Sequence, residues 1–210
     1  MTAPPPEIDL WDGARARAAA PGLWRVYDEV FGDQDSLAIW RQEVLDRHSE
    51  REGFRLAVAR CEHEIVGFAY GYIGERGQPW ADRVAAALPP AVADEWVGGH
   101  FELVDLAVLE SHRRHGGGRR LHDVLMDGES RRALLSTDDA DTPAVLLYRS
   151  RGWQRLGQLS EGVQVMGLRP AVERVTGIEP AWPAWKAGAL PLSYTRTSAR
   201  RRCGCCGALA

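Results

Sequence analysis

The chain has 210 residues, 45% of them hydrophobic and 26% charged, with a net charge of -3. That is enough for one well-filled core of mixed class, and the slight acidity argues against a general nucleic-acid binder, whose surface is strongly basic. No apolar run approaches the ~20 residues a bilayer demands, and the opening MTAPPPEIDLWDG lacks the basic, apolar and small-residue order of a secretory signal, so a cytoplasmic protein without a membrane partner is expected. Cysteine usage agrees, since Cys61 stands alone and Cys203, Cys205 and Cys206 crowd too closely to frame a disulfide scaffold. Lys186 is the single lysine among 26 basic residues, an arginine bias typical of a GC-rich bacterial genome.

Pro4, Pro5 and Pro6 deny a helix to the first residues, which read as an extended lead-in. From Pro21, the residues Leu23, Trp24, Tyr27, Val30 and Phe31 fall on one helical face, and Pro21 suits a first turn. A second helix is predicted next. Asp35 and Ser36 offer N-cap oxygens, and Leu37, Ile39, Trp40, Val44 and Leu45 supply an apolar stripe as far as about Arg51. The period then changes: FRLAVAR and EIVGFAYGYIG, joined through the polar CEHE, read as a hairpin. PWADRVAAAL reads as a short helix broken by Pro89 and Pro90. HFELVDLAVL reads as a strand whose last part is apolar on both faces, as a central strand is. A glycine turn follows, then a helix over Arg119 to Met126, a strand in RRALLSTDD, a short helix in TPAVLLYRS and a closing antiparallel pair, WQRLGQ with VQVMGLR. The expected fold class is α/β, an α+β mixed sheet with helices packed on it.

The glycine turn, Gly116 to Gly118, lies between the central strand and a helix, flanked by Arg113, Arg114, Arg119 and Arg120. A helix N-terminus exposes unpaired N–H groups, and glycine lets a ligand approach the backbone, so strand, glycine turn and helix in succession suit a phosphate group. Two phosphate readings fail on residue type. A P-loop needs a lysine followed by Ser or Thr, and a dinucleotide fingerprint needs a glycine where Leu121 stands.

Arg113-Arg114-His115-Gly116-Gly117-Gly118 resembles the Arg/Gln-x-x-Gly-x-Gly/Ala signature of the GNAT superfamily of acyl-CoA-dependent N-acyltransferases. LVDLAVLESHRR resembles that family's central strand, and DTPAVLLYRSRGW is similar to its Asn-x-x-Ala-x-x-x-Tyr-x-x-x-Gly-Phe element. The resemblance implies a central splayed mixed β-sheet flanked by helices over residues 1–170, and acetyl-CoA as acyl donor. Its pyrophosphate would meet main-chain N–H groups around Arg113, Arg114, His115, Gly116, Gly117, Gly118 and Arg119, with Asp141 nearby, and its pantetheine arm would pair along Leu106, Ala107 and Val108. Two departures stand out: Asp141 replaces the usual asparagine, and Gly117 fills a slot that is usually apolar or aromatic.

Amine acylation requires a group that removes a proton from the ammonium and a donor for the departing thiolate. Glu102 stands eleven residues before Arg113, the offset of the general-base glutamate in histone-acetylating members, and Asp105 is a second strand carboxylate. Tyr148 corresponds to the family tyrosine that donates to the CoA sulfur. The activity so implied is acetyl transfer to a primary amine of a small molecule or peptide by direct attack, in a monomer or homodimer. The alternative is a non-catalytic acyl-CoA-binding regulatory domain. Trp80, Asp82, Asp94, Glu95 and Trp96 suggest an acid-and-aromatic pocket for a cationic amine. His100, His112 and His115 reach no metal spacing with a cysteine, so no metal is expected. Residues 171–210 lack any sustained period. They resemble a tail found on unrelated bacterial reading frames that looks like translation across the complement of a transfer RNA gene, although a basic arm for nucleic acid is a further reading of the same segment.

Overall fold

The computed structural model of the chain describes residues 5–170. The tail read at 171–210 lies outside the described residues, as do residues 1–4.

Seven strands build one open mixed sheet in the order β1-β2-β3-β4-β5-β7-β6. They are β1 Glu7–Trp11, β2 Arg55–Cys61, β3 Glu64–Gly74, β4 His100–Val108, β5 Ala133–Asp138, β6 Gln154–Ser160 and β7 Val163–Leu168. Neighbours run antiparallel except β4 and β5, which are parallel. The helices are α1 Gly13–Ala18, α2 Ala20–Val30, α3 Leu37–Trp40, α4 Arg47–Ser49, α5 Pro79–Ala87, α6 Pro90–Trp96, α7 Gly117–Met126 and α8 Pro143–Ser150. No helix among the described residues is long and apolar enough to cross a membrane.

The hairpin, the central strand and the closing pair fall where residue periodicity places them. Three elements do not appear in that reading. Residues just after the prolines form β1, an edge strand paired through Leu10 with Ala57 and Trp11 with Leu56; an edge position tolerates the proline lead-in because its outer N–H groups face no neighbour. Asp12 caps α1 by accepting from Arg15 N at 2.8 Å. Pro90 opens α6 as well as ending the approach from α5, since a proline at the first helical position loses no intrahelical bond. The predicted second helix is capped by Ser36, which accepts from Ile39 N, but it widens into a π-helical turn over Arg41–Asp46 before closing as α4. Trp40, Val44 and Leu45 are buried there, whereas Ile39 stays exposed.

Strand alternation sorts the helices between two faces. On β3, Phe68 and Tyr70 line a small apolar cavity with Leu23, Trp40, Val44 and Leu45, so this face carries α2 to α4. Gly67 faces the other way, where a Cβ would meet Leu121 of α7 at 3.2 Å. The same division continues across β5: Leu134 packs with Ala81, Val84 and Trp96 of α5 and α6, while Ala133 and Leu135 join the core under α7 and α8. On that second face Trp153 Nε1 donates to His122 Nε2 at 2.9 Å, and Asp123 receives Arg151 through both carboxylate oxygens, tying α7 to the end of α8.

Candidate active site

The β3–β4 register carries a bulge that decides which β4 side chains share a face. Tyr72 pairs with Glu102, Gly71 with Leu103, and Tyr70 with Asp105, so Val104 is the extra residue. A one-residue insertion flips the alternation that follows it, so Glu102 and Asp105, which simple period-2 counting would separate, stand on one face with Tyr70 and Tyr72. Glu102 is only 4% exposed. Tyr72 Oη donates to its Oε1 at 3.1 Å.

Burial pushes the Glu102 carboxyl up to about 7, against the opposing pull of the Tyr72 hydrogen bond and the Arg51 guanidinium and with a further push from Asp105. Tyr72 is raised above its ordinary value, by burial first and then by the charge of Glu102, so it remains a hydrogen-bond donor at neutral pH. The Arg51 guanidinium lies 4.9 Å over the Tyr72 ring. His48 packs at 5.1 Å from Tyr72 and its Nδ1 stands 2.9 Å from Tyr70 Oη. Burial, then Arg51 and Arg47, lower its pKa to about 4, so His48 is neutral at pH 7. The cluster therefore presents one carboxyl poised between its two protonation states at neutral pH, the property a general base needs.

Glu102 also marks where the sheet opens. The β4–β5 ladder consists of Phe101 with Ala133 and Glu102 with Leu134. Beyond that point β4 runs on to Val108 paired to β3 alone, and β5 is paired to β7. Leu106, Ala107 and Val108 thus border the gap. Val108 leads through a 3-10 turn at Glu110–His112 to Arg114 and Gly116, both in the left-handed region at φ 67° and 77°. Gly116 is the N-cap of α7 and no side chain caps that helix. A Cβ on Gly118 would stand 3.5 Å from Leu106 Cδ2, which places the helix N-terminus against the opened strand. Arg113 Nε donates to Val108 O at 2.8 Å, so this guanidinium secures the turn; Arg114, His115 and Arg119 are exposed around it. An uncapped helix N-terminus ringed by arginines, at the mouth of a gap edged by strand backbone, fits a ligand with an anionic head and an extended amide arm.

Gly117 is buried, and a Cβ there would have its nearest neighbours, His112 O and Val108 Cγ1, at 4.0 Å. Asp141 is exposed and ion-paired with Arg149, which offsets the charge it adds beside the gap. Tyr148 is buried on α8, its ring 6.3 Å from His122 and 5.8 Å from Trp153. It stands on the α7 face of the sheet, opposite the face that carries Glu102. Leu146 beside it is exposed rather than packed on the sheet.

Of the five residues expected to line an acid-and-aromatic pocket, Glu95 and Trp96 border a cavity of about 220 Å³ together with His100, Arg131 and Arg132, while Trp80, Asp82 and Asp94 stand elsewhere. Asp94 pairs with Arg76 at 3.0 Å, Glu95 with Arg169 at 2.7 Å, and Asp82 accepts from Gly77 N, so these carboxylates are spent within α5, α6 and their surroundings. Trp96 is buried beneath Arg169. Trp80 lies 6.1 Å from His100, with its Nε1 donating to Ser136 Oγ. Periodicity could not show these pairings, because each depends on how the chain folds back on itself. The contributions of Tyr72, Arg51, His48 and His100 were likewise invisible; the one available signal was the Tyr70, Tyr72, Gly74 alternation along β3. Among the described residues no group of three or more His, Cys, Asp or Glu side chains is placed to hold a metal ion.

A mixed sheet whose parallel central pair parts just beyond a buried carboxyl, with a glycine-led helix at the open end, defines the acyl-CoA N-acyltransferase class of fold. The family model described as Acetyltransferase (GNAT) family matches residues 19–153, and the chain belongs to that family as an acyltransferase. No curated protein matches the chain. Among solved structures it is similar to an acetyltransferase from Thermus thermophilus at TM-score 0.56 and 16% identity, over 81% of this chain and 99% of that one. It is also similar to the ribosomal-protein-S18-alanine N-acetyltransferase of Escherichia coli at 0.53 and 15%, over 78% and 92%. A third likeness is to a PaiA N-acetyltransferase from Thermoplasma acidophilum in complex with coenzyme A, at 0.51 and 13%, over 78% and 99%. At these identities the likeness shows the fold, which is the splayed mixed sheet expected from the motifs.

Proposed function

We propose that the chain moves an acetyl group from acetyl-CoA to a primary amine of a small molecule or peptide, with Glu102 as general base and Tyr148 as donor to the departing sulfur. The observation that carries this reading is the buried Glu102 carboxyl, pushed up to about 7, at the point where β4 and β5 part. Bound acetyl-CoA supplies an activated thioester. Its pyrophosphate would meet the N–H groups of the Gly116–Arg119 turn, and its amide arm would lie along Leu106 to Val108.

The acceptor arrives as an ammonium, which cannot attack until it loses a proton. Glu102 takes that proton from the face carrying α2 to α4, held in orientation by Tyr72. Tyr148, from the opposite face, is the hydrogen-bond donor on the sulfur side. Two faces of one gap thus divide base and donor between them.

Calorimetry with CoA, followed by thiol release over a panel of amines and peptides, tests the reading. Absence of CoA binding at micromolar concentration removes it altogether, while CoA binding with no thiol released from any amine favours the regulatory alternative. The turn makes a sharper prediction. Gly116 sits at φ 77° with nothing within 4 Å of a Cβ, so its constraint is conformational rather than steric. Gly116→Val is expected to weaken CoA about tenfold or more, whereas Gly116→Asn, which tolerates the left-handed region, stays within about threefold. Equal losses in both variants, read by the same calorimetry, count against a backbone N–H cradle.

A further inference from the structure

Arg51 stands in the turn between α4 and β2, and the backbone fixes it there. Its N–H donates to His48 O, its carbonyl accepts from Phe54 N, and Ile73 N donates to Glu52 O at 2.8 Å, which ties the turn to β3 beside Tyr72. Gly53 completes the turn at φ 67°, where a Cβ would stand 2.6 Å from Ile73 Cγ1. The guanidinium comes to rest 4.9 Å from the centre of the Tyr72 ring, and the hydroxyl of that same ring donates to Glu102. One tyrosine carries the carboxyl at its tip and a cation on its face.

That cation touches no counter-charge. Neighbouring arginines are committed, Arg17 to Ser49 Oγ, Arg41 to Asp46 and Arg47 to Glu43. Arg51 makes no hydrogen bond and no ion pair with any described residue through its side chain: Nε is buried without a partner, and the two terminal nitrogens of this half-buried side chain face solvent. His48, held neutral by burial and by Arg51 and Arg47, offers it no anion. Arg51 favours the ionised form of Glu102 by its charge, without an ion pair. A guanidinium partly removed from water is disfavoured until an acceptor reaches it, and its planar fork matches a carboxylate through two parallel N–H bonds. Because the terminal nitrogens face solvent, an incoming group meets them directly and needs no internal cavity.

We infer that Arg51 is a binding subsite for a carboxylate on the acceptor, so that the substrate is a zwitterion whose amine goes to Glu102 and whose carboxylate, a few bonds away, lies on Arg51. The inference rests on Glu102 being the base, and it narrows the acceptor class. A polyamine would set like charge against Arg51 and is discriminated against, whereas a zwitterion is matched at both ends. The phenol ring of Tyr72 stands between the two partners and sets their spacing.

The test compares β-alanine, γ-aminobutyrate and δ-aminovalerate with their primary amides, by thiol release from acetyl-CoA with the full chain. At the favoured chain length kcat/KM for the acid is expected to exceed that for the amide by about tenfold or more. Arg51→Met keeps an unbranched stem over Tyr72 and is expected to bring that ratio to within about twofold of one, with Arg51→Lys, which keeps the charge and loses the fork, in between. Removing the charge also raises the Glu102 midpoint, but this slows acid and amide alike and cancels in the ratio. A peptide amide beginning with Asp, set against its Asn counterpart, distinguishes a peptide source of the carboxylate from a free amino acid; preference for the acid in either series supports the inference. No preference in the wild type at any length or in the peptide pair, or a preference that persists in Arg51→Met, overturns it. Calorimetry of the CoA-loaded wild type with the same pairs decides without turnover or variant folding: tighter binding of an acid supports the subsite, and equal or absent binding overturns it. If Glu102 is not the base, Glu102→Gln leaves turnover intact while the preference for the acid remains, which separates the two failures.

Discussion

Glu102→Gln is expected to lower kcat/KM by about 10²- to 10³-fold while CoA affinity stays within about twofold, measured by thiol release and calorimetry. Gln preserves the shape and can still accept from Tyr72, so only the capacity to take a proton is lost. The wild-type rate is expected to rise with pH to a plateau above about 7, the value to which burial pushes the carboxyl, and this limb disappears in the variant. A retained limb with the same midpoint would assign the titration to another group.

The same substitution has an opposite effect on stability. The unfolded chain ionises Glu102 near its ordinary 4.5, whereas the folded chain holds the proton up to about 7. Between those values the unfolded state binds fewer protons, so stability falls as pH rises through the window and the loss is complete above it. Glu102→Gln is not subject to this loss. Its Tm is expected to exceed that of wild type by about 3–6 °C at pH 8 and to match it at pH 4. A carboxyl buried in a strand thus costs the fold stability once it ionises, a common trade at active sites.

Tyr148→Phe is expected to reduce kcat by about 10- to 100-fold with little change in the Kd for CoA. The ring contributes to the packing between α7 and α8 through His122 and Trp153, and Phe keeps that ring. Loss of the hydroxyl alone then reports on thiolate departure. Equal loss of turnover and CoA affinity would make Tyr148 a packing residue. Tyr148→Ala does not discriminate, because it opens a cavity beside His122 and destabilises by several kcal/mol whatever the hydroxyl does.

The architecture was legible wherever local chemistry decides conformation. Alternation of apolar residues marked the β2–β3 hairpin and β4, Ser36 marked the start of α3, and three glycines after a strand marked the turn into α7. Each of these signals resides in a few consecutive residues. The elements that escaped, β1, α1 and α6, have little periodicity of their own. β1 exists because Leu10 and Trp11 find Ala57 and Leu56 across a pairing that no window of sequence contains. The π-helical turn in the second helix is likewise chosen by burial of Trp40, Val44 and Leu45 against the sheet.

The candidate site divides the same way. Sequence by itself determined the residue types and their order: a carboxylate before a central strand's apolar end, a glycine turn among arginines, and a tyrosine in a later helix. Tertiary structure alone decided what those groups experience. The Val104 bulge turns Asp105 onto the face of Glu102, and the parting of β4 from β5 opens the gap. It also paired Asp82 with Gly77 N–H, Asp94 with Arg76 and Glu95 with Arg169. The physical reason is that a carboxyl's proton affinity depends on desolvation and on charges a few ångströms away, and both are set by contacts between strands and helices distant in the chain.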